Sequence, residues 1–305
     1  MPEPGREIDF PRARAVAVAA LAGGLIISAL KFALFAASNS AAVLSDALES
    51  LVNIAAAVVM LVTLIYADRP PDREHRYGHG NAQFLAIAFE GAMVLLAGVG
   101  IIVEAGRRLV RPAPVAHLDL TLLGLVGIGA LVAALGAGVF VAGRRLNNRV
   151  LRADGAHLLT DLATTAGALV GLGLVRLTGL VWIDTAAAAV LGAVVLITGW
   201  RLVGESVAGL MDRADPADLA RVASILDEER RAGAIAGFHK LRVRRTGRFP
   251  WVDMHLQVDG RLTVAQAHDL ASRIEGRIER ALGGGDATAH VEPADPNDTA
   301  PVNQR

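Results

Sequence analysis

Six long apolar segments dominate the first two thirds of this 305-residue chain. A helix needs roughly 20 apolar residues to cross a bilayer core about 30 Å thick, and each segment meets that length. The first is too long for the apolar core of a signal peptide, and five more follow it. The sequence therefore predicts an α-helical membrane protein whose six transmembrane helices lie at residues 13–37, 41–66, 83–106, 119–143, 153–175 and 181–203.

The last hundred residues mix polar and apolar residues as a soluble domain does. Pro216 stands where proline favours a helix start, and residues 241–244 and 252–258 alternate in polarity as strands do. Thr263 is expected to cap a second helix, and residues 287–291 are expected to form a last strand. The pattern predicts a small α+β domain with the order helix, strand, strand, helix, strand.

These patterns divide the chain into three parts. We expect a six-helix transmembrane domain at residues 1–211 and a cytoplasmic α+β domain at residues 212–296. Residues 297–305 have the composition of a disordered tail.

Arginines concentrate in alternate loops, and their distribution predicts the orientation. Lys and Arg are enriched in cytoplasmic loops of membrane proteins. A minority lies on the other side, at Arg107, Arg108, Arg111 and Arg176. The majority places both termini of a multi-pass cell (inner) membrane protein in the cytoplasm; it comprises Arg6, Arg12, Arg14, Arg69, Arg73, Arg76, Arg144, Arg145, Arg149, Arg152, Arg201 and Arg213.

Charge and cysteine content limit the classes of partner and metal site. The 30 basic and 30 acidic residues cancel, so no bulk charge favours nucleic acid. The chain has no cysteine, which excludes disulfides and thiolate metal sites. Any metal ion would therefore be held by histidine nitrogen and by carboxylate or carbonyl oxygen.

Two of the apolar segments carry polar residues that a bilayer tolerates only at a cost. A charged side chain in a membrane helix costs roughly 2.5–3.5 kcal/mol, yet Asp46 and Glu49 lie in the second segment and His157 and Asp161 in the fifth. Residues four apart share a helix face, so Glu49 pairs with Asn53 and His157 with Asp161. Hydrogen bonding between two helices would explain one such pair, but two matching pairs favour a four-ligand site for a divalent ion.

A second group of ligand-type residues lies in the loop after the second segment. Asp72, His75 and His79 fall within eight residues, a spacing that suits a metal ion. A solvated polar loop explains this cluster about as well. His117, in another loop, has no such neighbours and is assigned no role.

A third group lies in the predicted cytoplasmic domain. His255 and His290 fall on the polar faces of alternating strands, and Glu292 projects to the same side as His290. His239 is expected to open another strand, and His268 lies near the edge of the apolar helix face. A lone histidine in such a place is more often a surface residue, but four with a carboxylate favour a binuclear metal site.

In five motifs, distributed over nearly the whole chain, the sequence resembles the cation diffusion facilitator family. The motifs are SNSAAVLSDALES at residues 38–50, HRYGHG at 75–80, DGAHLLTD at 154–161, WID at 182–184 and ESVAGLMD at 205–212. The resemblance implies a homodimer with six helices per subunit and a metallochaperone-like cytoplasmic domain. It also implies export of Zn²⁺ or a similar ion, driven by proton antiport.

The same resemblance implies roles for the three groups of residues. Divalent metal ions would be substrate and regulator, and protons the counter-substrate. The transport site would comprise Glu49, Asn53, His157 and Asp161; the loop site Asp72, His75 and His79; and the cytoplasmic site at the dimer interface His239, His255, His268, His290 and Glu292.

The chain departs from the family pattern at three places. The family usually has Asp or His at the position of Glu49 and Asp at that of Asn53, so this site loses one negative charge and leaves Fe²⁺, Co²⁺ or Mn²⁺ open beside Zn²⁺. Some members pair a Lys at the position of Asn81 with an acid near Asp212, which is impossible here. Lys31 is instead expected near the outer end of the first helix.

The predicted function is efflux of a divalent transition-metal ion, with Zn²⁺ as the first candidate. The unusual Glu49 and Asn53 keep open a second hypothesis, a metal-binding assembly or sensor protein of the membrane without transport. Export of organic substrates is disfavoured because no aromatic residues line the helices. An enzyme is also disfavoured, because no nucleophile–base pair or phosphate-binding loop is visible.

Overall fold

The first two thirds of the chain form six long helices, as the apolar segments predict. The computed structural model describes residues 10–67, 69, 71–146, 149–247 and 249–294. All six helices are long and apolar enough to cross a membrane. They are α1 (Phe10–Ser38), α2 (Ala41–Ala67), α3 (Ala82–Val110), α4 (Leu118–Arg145), α5 (Arg149–Thr178) and α6 (Trp182–Leu210).

Most helices extend beyond the predicted segments because an apolar run marks only the part of a helix that can lie in hydrocarbon. α6, for example, continues past the predicted end at residue 203 to Leu210. The predicted domain boundary at residues 211–212 stays a prediction, and the predicted tail at 297–305 lies outside the described residues.

One compact unit comprises Met1–Val59 and Ile87–Val203. Within it, α4 and α5 approach closely because glycine leaves room for the facing backbone. A Cβ on Gly155 would lie 2.4 Å from the backbone nitrogen of Phe140. Small residues allow this close packing of helices in lipid, where the hydrophobic effect does not drive association.

Asp184, in the first turn of α6, fixes the start of α2. Its carboxylate accepts hydrogen bonds from the Ser40 hydroxyl at 2.6 Å and from the backbone N–H groups of Ala41 and Ala42 at 2.7 and 3.2 Å. The first N–H groups of a helix have no partner within the helix. Asp184 is buried at 2% exposure and satisfies two of them, so it ties α6 to the beginning of α2.

The second compact unit comprises Met60–Ala86 and Gly204–Arg305. Its elements follow the predicted order: α7 (Pro216–Arg231), β1 (Gly237–Thr246), β2 (Phe249–Val258), α8 (Val264–Leu282) and β3 (Asp286–Pro293). The sheet order is β1-β2-β3, with β1 antiparallel and β3 parallel to β2.

Local sequence signals position both helices of this domain. Asp215 caps α7, with Pro216 in its first turn. Thr263 and Gln266 form a capping box at the start of α8, so the predicted cap is confirmed. The two helices cover the sheet, and Leu226, Leu256 and Ile274 are fully buried between these layers.

His239 lies near the start of β1, as the sequence predicts. It belongs to β1, whose register with β2 shifts between His239 and Arg242. Lys240, inside that bulge, has a positive φ of 48°. A β-bulge interrupts the alternation of side chains, so the alternating pattern in the sequence begins only at residue 241.

Candidate functional site

The polar residues of α2 and α5 meet inside the helical unit. The Asn53 amide donates a hydrogen bond to Asp161 Oδ2 at 3.0 Å. His157 Nε2 lies 4.0 Å from Asp161 Oδ1. The Asp161 side chain is 12% exposed and that of His157 is 51% exposed. The structure thus joins three of the four predicted transport-site residues directly, with the imidazole at the open side.

Glu49 completes the group from α2. It is half-buried, and its charge repels that of Asp161. Two carboxylates therefore face each other across α2 and α5. A cation between them would relieve the repulsion, and oxygen ligands with one imidazole suit a divalent transition metal.

Two charged residues near this group were not assigned to it from the sequence. Glu90 on α3 is half-buried and interacts electrostatically with His157. Lys31 is only 1% exposed: its Nζ donates to Asp46 Oδ1 and to Ser50 Oγ, each at 2.8 Å. The available signal was a charge within an apolar run.

Lys31 lies within the last two turns of α1, near one end of the helix as expected, and its side chain is buried. That this end is the outer one stays a prediction. Hydropathy locates the helix but does not show which of its faces contacts Asp46, so the partner of Lys31 could not be predicted.

The loop after α2 gathers its three ligand-type residues. Asp72 Oδ1 lies 3.3 Å from His75 Nδ1, and Asp72 Oδ2 lies 3.3 Å from His79 Nε2. One ligand atom from each lies within 4.8 Å of the others. The backbone N–H of His75 donates to Asp72 and lowers the pKa of that carboxyl below its usual 3.8. Asp72 therefore stays ionised, as a metal ligand must be.

The same loop packs on the turn between β1 and β2. The Tyr77 carbonyl accepts a hydrogen bond from the Thr246 hydroxyl, and the Tyr77 ring meets Trp251 edge-on with 4.9 Å between centroids. Gly80 is essential to this approach, because a Cβ there would lie 2.3 Å from the Thr246 carbonyl oxygen. The loop cluster therefore belongs to the same compact unit as the sheet.

In the sheet, three histidines form one row across the strands. His239 pairs with His255, and His255 pairs with His290. The ring centroids are 5.0 and 4.6 Å apart. Glu292 lies beside the row, 2.9 Å from His239 Nε2 and 3.2 Å from His255 Nδ1. His239, His255 and Glu292 bring ligand atoms within 4.8 Å of one another.

The other two predicted members of the cytoplasmic group lie further out. His290 joins the row through its ring contact with His255, and its side chain is exposed. His268 is exposed on α8 and is not part of the close group of three. Within one chain the sheet thus brings together two histidines and a carboxylate, a mixed nitrogen and oxygen ligand set.

Comparison with protein families covers almost the whole chain. The model of the cation efflux transmembrane domain matches residues 17–211. The model of the cation efflux protein cytoplasmic domain matches residues 214–294. The two matches include all three groups of ligand-type residues.

Individual relatives match over most of their length. A Synechocystis protein described as an uncharacterised transporter is 37% identical over 285 residues, which are 92% of this chain and 90% of the relative. The cation-efflux pump FieF of Pectobacterium atrosepticum is 31% identical over 301 residues, 95% of this chain and 94% of the relative.

Solved structures also share a part of the chain. One is a structure of the zinc form of CzrB, which is described as a proposed zinc transporter. Its sequence is 35% identical to this chain, the match covers 26% of this chain and 89% of the CzrB chain, and the TM-score is 0.25. A second CzrB structure is 34% identical, covers 27% and 99%, and has a TM-score of 0.26.

Proposed function

The chain belongs to the cation diffusion facilitator family of cation efflux transporters, and from this membership we propose that it exports a divalent transition-metal ion in exchange for protons. The observation that carries the proposal is the contact of Asn53 and His157 with Asp161, opposite the Glu49 carboxylate. Zn²⁺ is the first candidate substrate, and Fe²⁺, Co²⁺ and Mn²⁺ are alternatives.

The proposed transport site uses four side chains from α2 and α5. Glu49 and Asp161 supply two negative charges, which balance a divalent ion. His157 supplies a nitrogen ligand, and Asn53 a neutral oxygen once its amide turns from its hydrogen bond with Asp161 toward the ion. In alternating access, this site opens first to the cytoplasm, where both termini lie, and then to the opposite side.

Proton exchange follows from the chemistry of the ligands. A metal ion binds deprotonated carboxylates and neutral imidazole, so protons and metal compete for the same atoms. Histidine is the side chain that exchanges protons near neutral pH. The His157 side chain is 51% exposed and lies 4.0 Å from Asp161, which makes it the proposed proton carrier.

Transport into proteoliposomes tests this function. The purified chain is expected to move Zn²⁺ across the membrane against its gradient when a proton gradient is imposed, and a protonophore is expected to stop it. Lipid vesicles without protein provide the background. If the chain binds metal but transports none of Zn²⁺, Fe²⁺, Co²⁺ and Mn²⁺, the proposal is contradicted and a metal sensor is favoured.

Asn53 determines the choice of metal in this proposal. Replacing Asn53 with Asp adds a third carboxylate and a negative charge to the site. We expect the transport preference for Zn²⁺ over Mn²⁺ to change about tenfold in favour of Zn²⁺, measured by competition in proteoliposomes. Unchanged selectivity would mean that Asn53 does not contact the ion.

The cytoplasmic group has a proposed regulatory role. The chain is proposed to act as a homodimer, and metal bound by His239, His255 and Glu292, with His268 and His290, would draw two cytoplasmic domains together. Replacing His255 and His290 with Ala is then expected to raise the metal concentration that activates transport. An unchanged metal dependence would show that the group does not regulate. The loop group at Asp72, His75 and His79 is proposed as a further metal site.

A further inference from the structure

A buried ion pair beside the transport group has no role in the proposed ligand set. Lys31 of α1 and Asp46 of α2 are 1% and 0% exposed, and their charged atoms are 2.8 Å apart. Thr165 of α5 donates to both Asp46 oxygens at 2.9 and 3.0 Å. Ser50 accepts a second hydrogen bond from the Lys31 ammonium. The pair therefore links three helices at one point.

Helical spacing places this pair one turn from the proposed ligands. Asp46 precedes Glu49 by three residues, and residues so spaced have Cβ atoms about 5–6 Å apart on a helix. The Thr164 hydroxyl oxygen lies 2.7 Å from the Asp161 carbonyl oxygen and 3.2 Å from Asp46 Oδ1, and its single proton can be donated to either. One hydroxyl thus connects the ion pair to the transport group.

Stability alone does not account for such a pair. Replacing both partners of a buried ion pair by apolar residues is often neutral or stabilising. Charged residues within membrane helices also mark functional sites, because they are costly there.

The Lys31 ammonium cancels the charge of Asp46, so the acids of α2 and α5 leave the two negative charges of Glu49 and Asp161 for a divalent ion. We propose that Lys31 is a positioning residue for transport: its ion pair holds Asp46 away from the metal and prevents that carboxylate from acting as a third acidic ligand. The inference rests on the proposed transport site. In this proposal the ion pair keeps the metal affinity of the site low enough for the ion to be released.

Opposite single substitutions test this charge balance. Lys31→Met leaves an excess negative charge, so the Zn²⁺ concentration for half-maximal transport is expected to fall about tenfold while turnover slows. Asp46→Asn leaves an excess positive charge, and that concentration is expected to rise about tenfold. The double variant Lys31→Met with Asp46→Asn keeps the net charge and is expected to return to within about threefold of wild type.

A merely structural role predicts another outcome. Both single variants would then lose transport and thermal stability together, with half-saturation shifts in the same direction. Such a result, or a double variant no closer to wild type than the single ones, would overturn the proposal. Each variant is assayed as the full chain in proteoliposomes, with Zn²⁺ as the probe.

Ser50→Asp provides a test that does not break the pair. The new carboxylate would lie where the Ser50 hydroxyl already accepts from Lys31, so the ammonium still has a partner. The added negative charge is expected to lower the half-saturating Zn²⁺ concentration about tenfold. No shift would contradict the inference even if the single variants of Lys31 and Asp46 failed to fold. If wild type transports no Zn²⁺, or Asp161→Asn transports it normally, the proposed site itself is wrong.

Discussion

Replacing Asp161 with Asn is expected to reduce metal transport by about 100-fold or more. Asp161 lies between the Asn53 amide and the His157 imidazole, so it is the central residue of the proposed site. Asn has the same shape but lacks the charge, and loss of even an indirect partner of a metal site typically costs 10–100-fold. Initial rates of Zn²⁺ uptake into proteoliposomes measure the effect.

Asp119→Asn is a matched control for this substitution. Asp119 is a carboxylate of the first turn of α4, paired with Arg176 at 2.7 Å, and its side chain is 79% exposed. An exposed ion pair contributes little, so transport by this variant should equal that of wild type. If Asp161→Asn retained more than half of the wild-type rate, Asp161 would not be a ligand.

Asp184→Ala is expected to lower the stability of the helical unit by about 2–4 kcal/mol. The buried carboxylate accepts from the Ser40 hydroxyl and from the N–H groups of Ala41 and Ala42. Its removal leaves these donors without acceptors in a buried environment, at about 1–3 kcal/mol for each unsatisfied group. Thermal unfolding of the full chain in detergent should therefore begin several degrees lower.

Hydrogen exchange locates the effect of Asp184→Ala. The amides of Ala41 and Ala42 should lose protection, because their acceptor is removed, while those of the cytoplasmic α8 should not change. Asp119→Asn again serves as the comparison, with no resolvable shift of the unfolding temperature expected. Equal unfolding temperatures for Asp184→Ala and wild type would mean that α2 is held by packing alone.

The elements of the fold were predictable because each depends on a local pattern. Apolar length determined the six membrane helices, and alternation of polarity determined the strands at residues 241–244 and 252–258. The caps at Asp215 and Thr263 follow from side chains that bond to nearby backbone. The bulge around Lys240 interrupted the alternation within β1, so the pattern predicted only part of that strand.

The contacts that depend on helix rotation and strand register were not predictable. The pairing of Lys31 with Asp46 requires knowing which faces of α1 and α2 meet. The row of His239, His255 and His290 requires the register of three strands, although alternation had placed two of these residues on polar faces. Spacing along one helix did predict the pair His157 and Asp161, because four residues make about one turn.

The packing of Tyr77 against Trp251 allows the position of the loop to be followed by intrinsic tryptophan fluorescence. The protein has only three tryptophans, and the other two, Trp182 and Trp200, lie in α6. Phenylalanine at both of those positions would leave a single fluorophore, in edge contact with the loop that carries Asp72, His75 and His79. Emission from Trp251 would then register any displacement of that loop from the strand turn, without an attached dye.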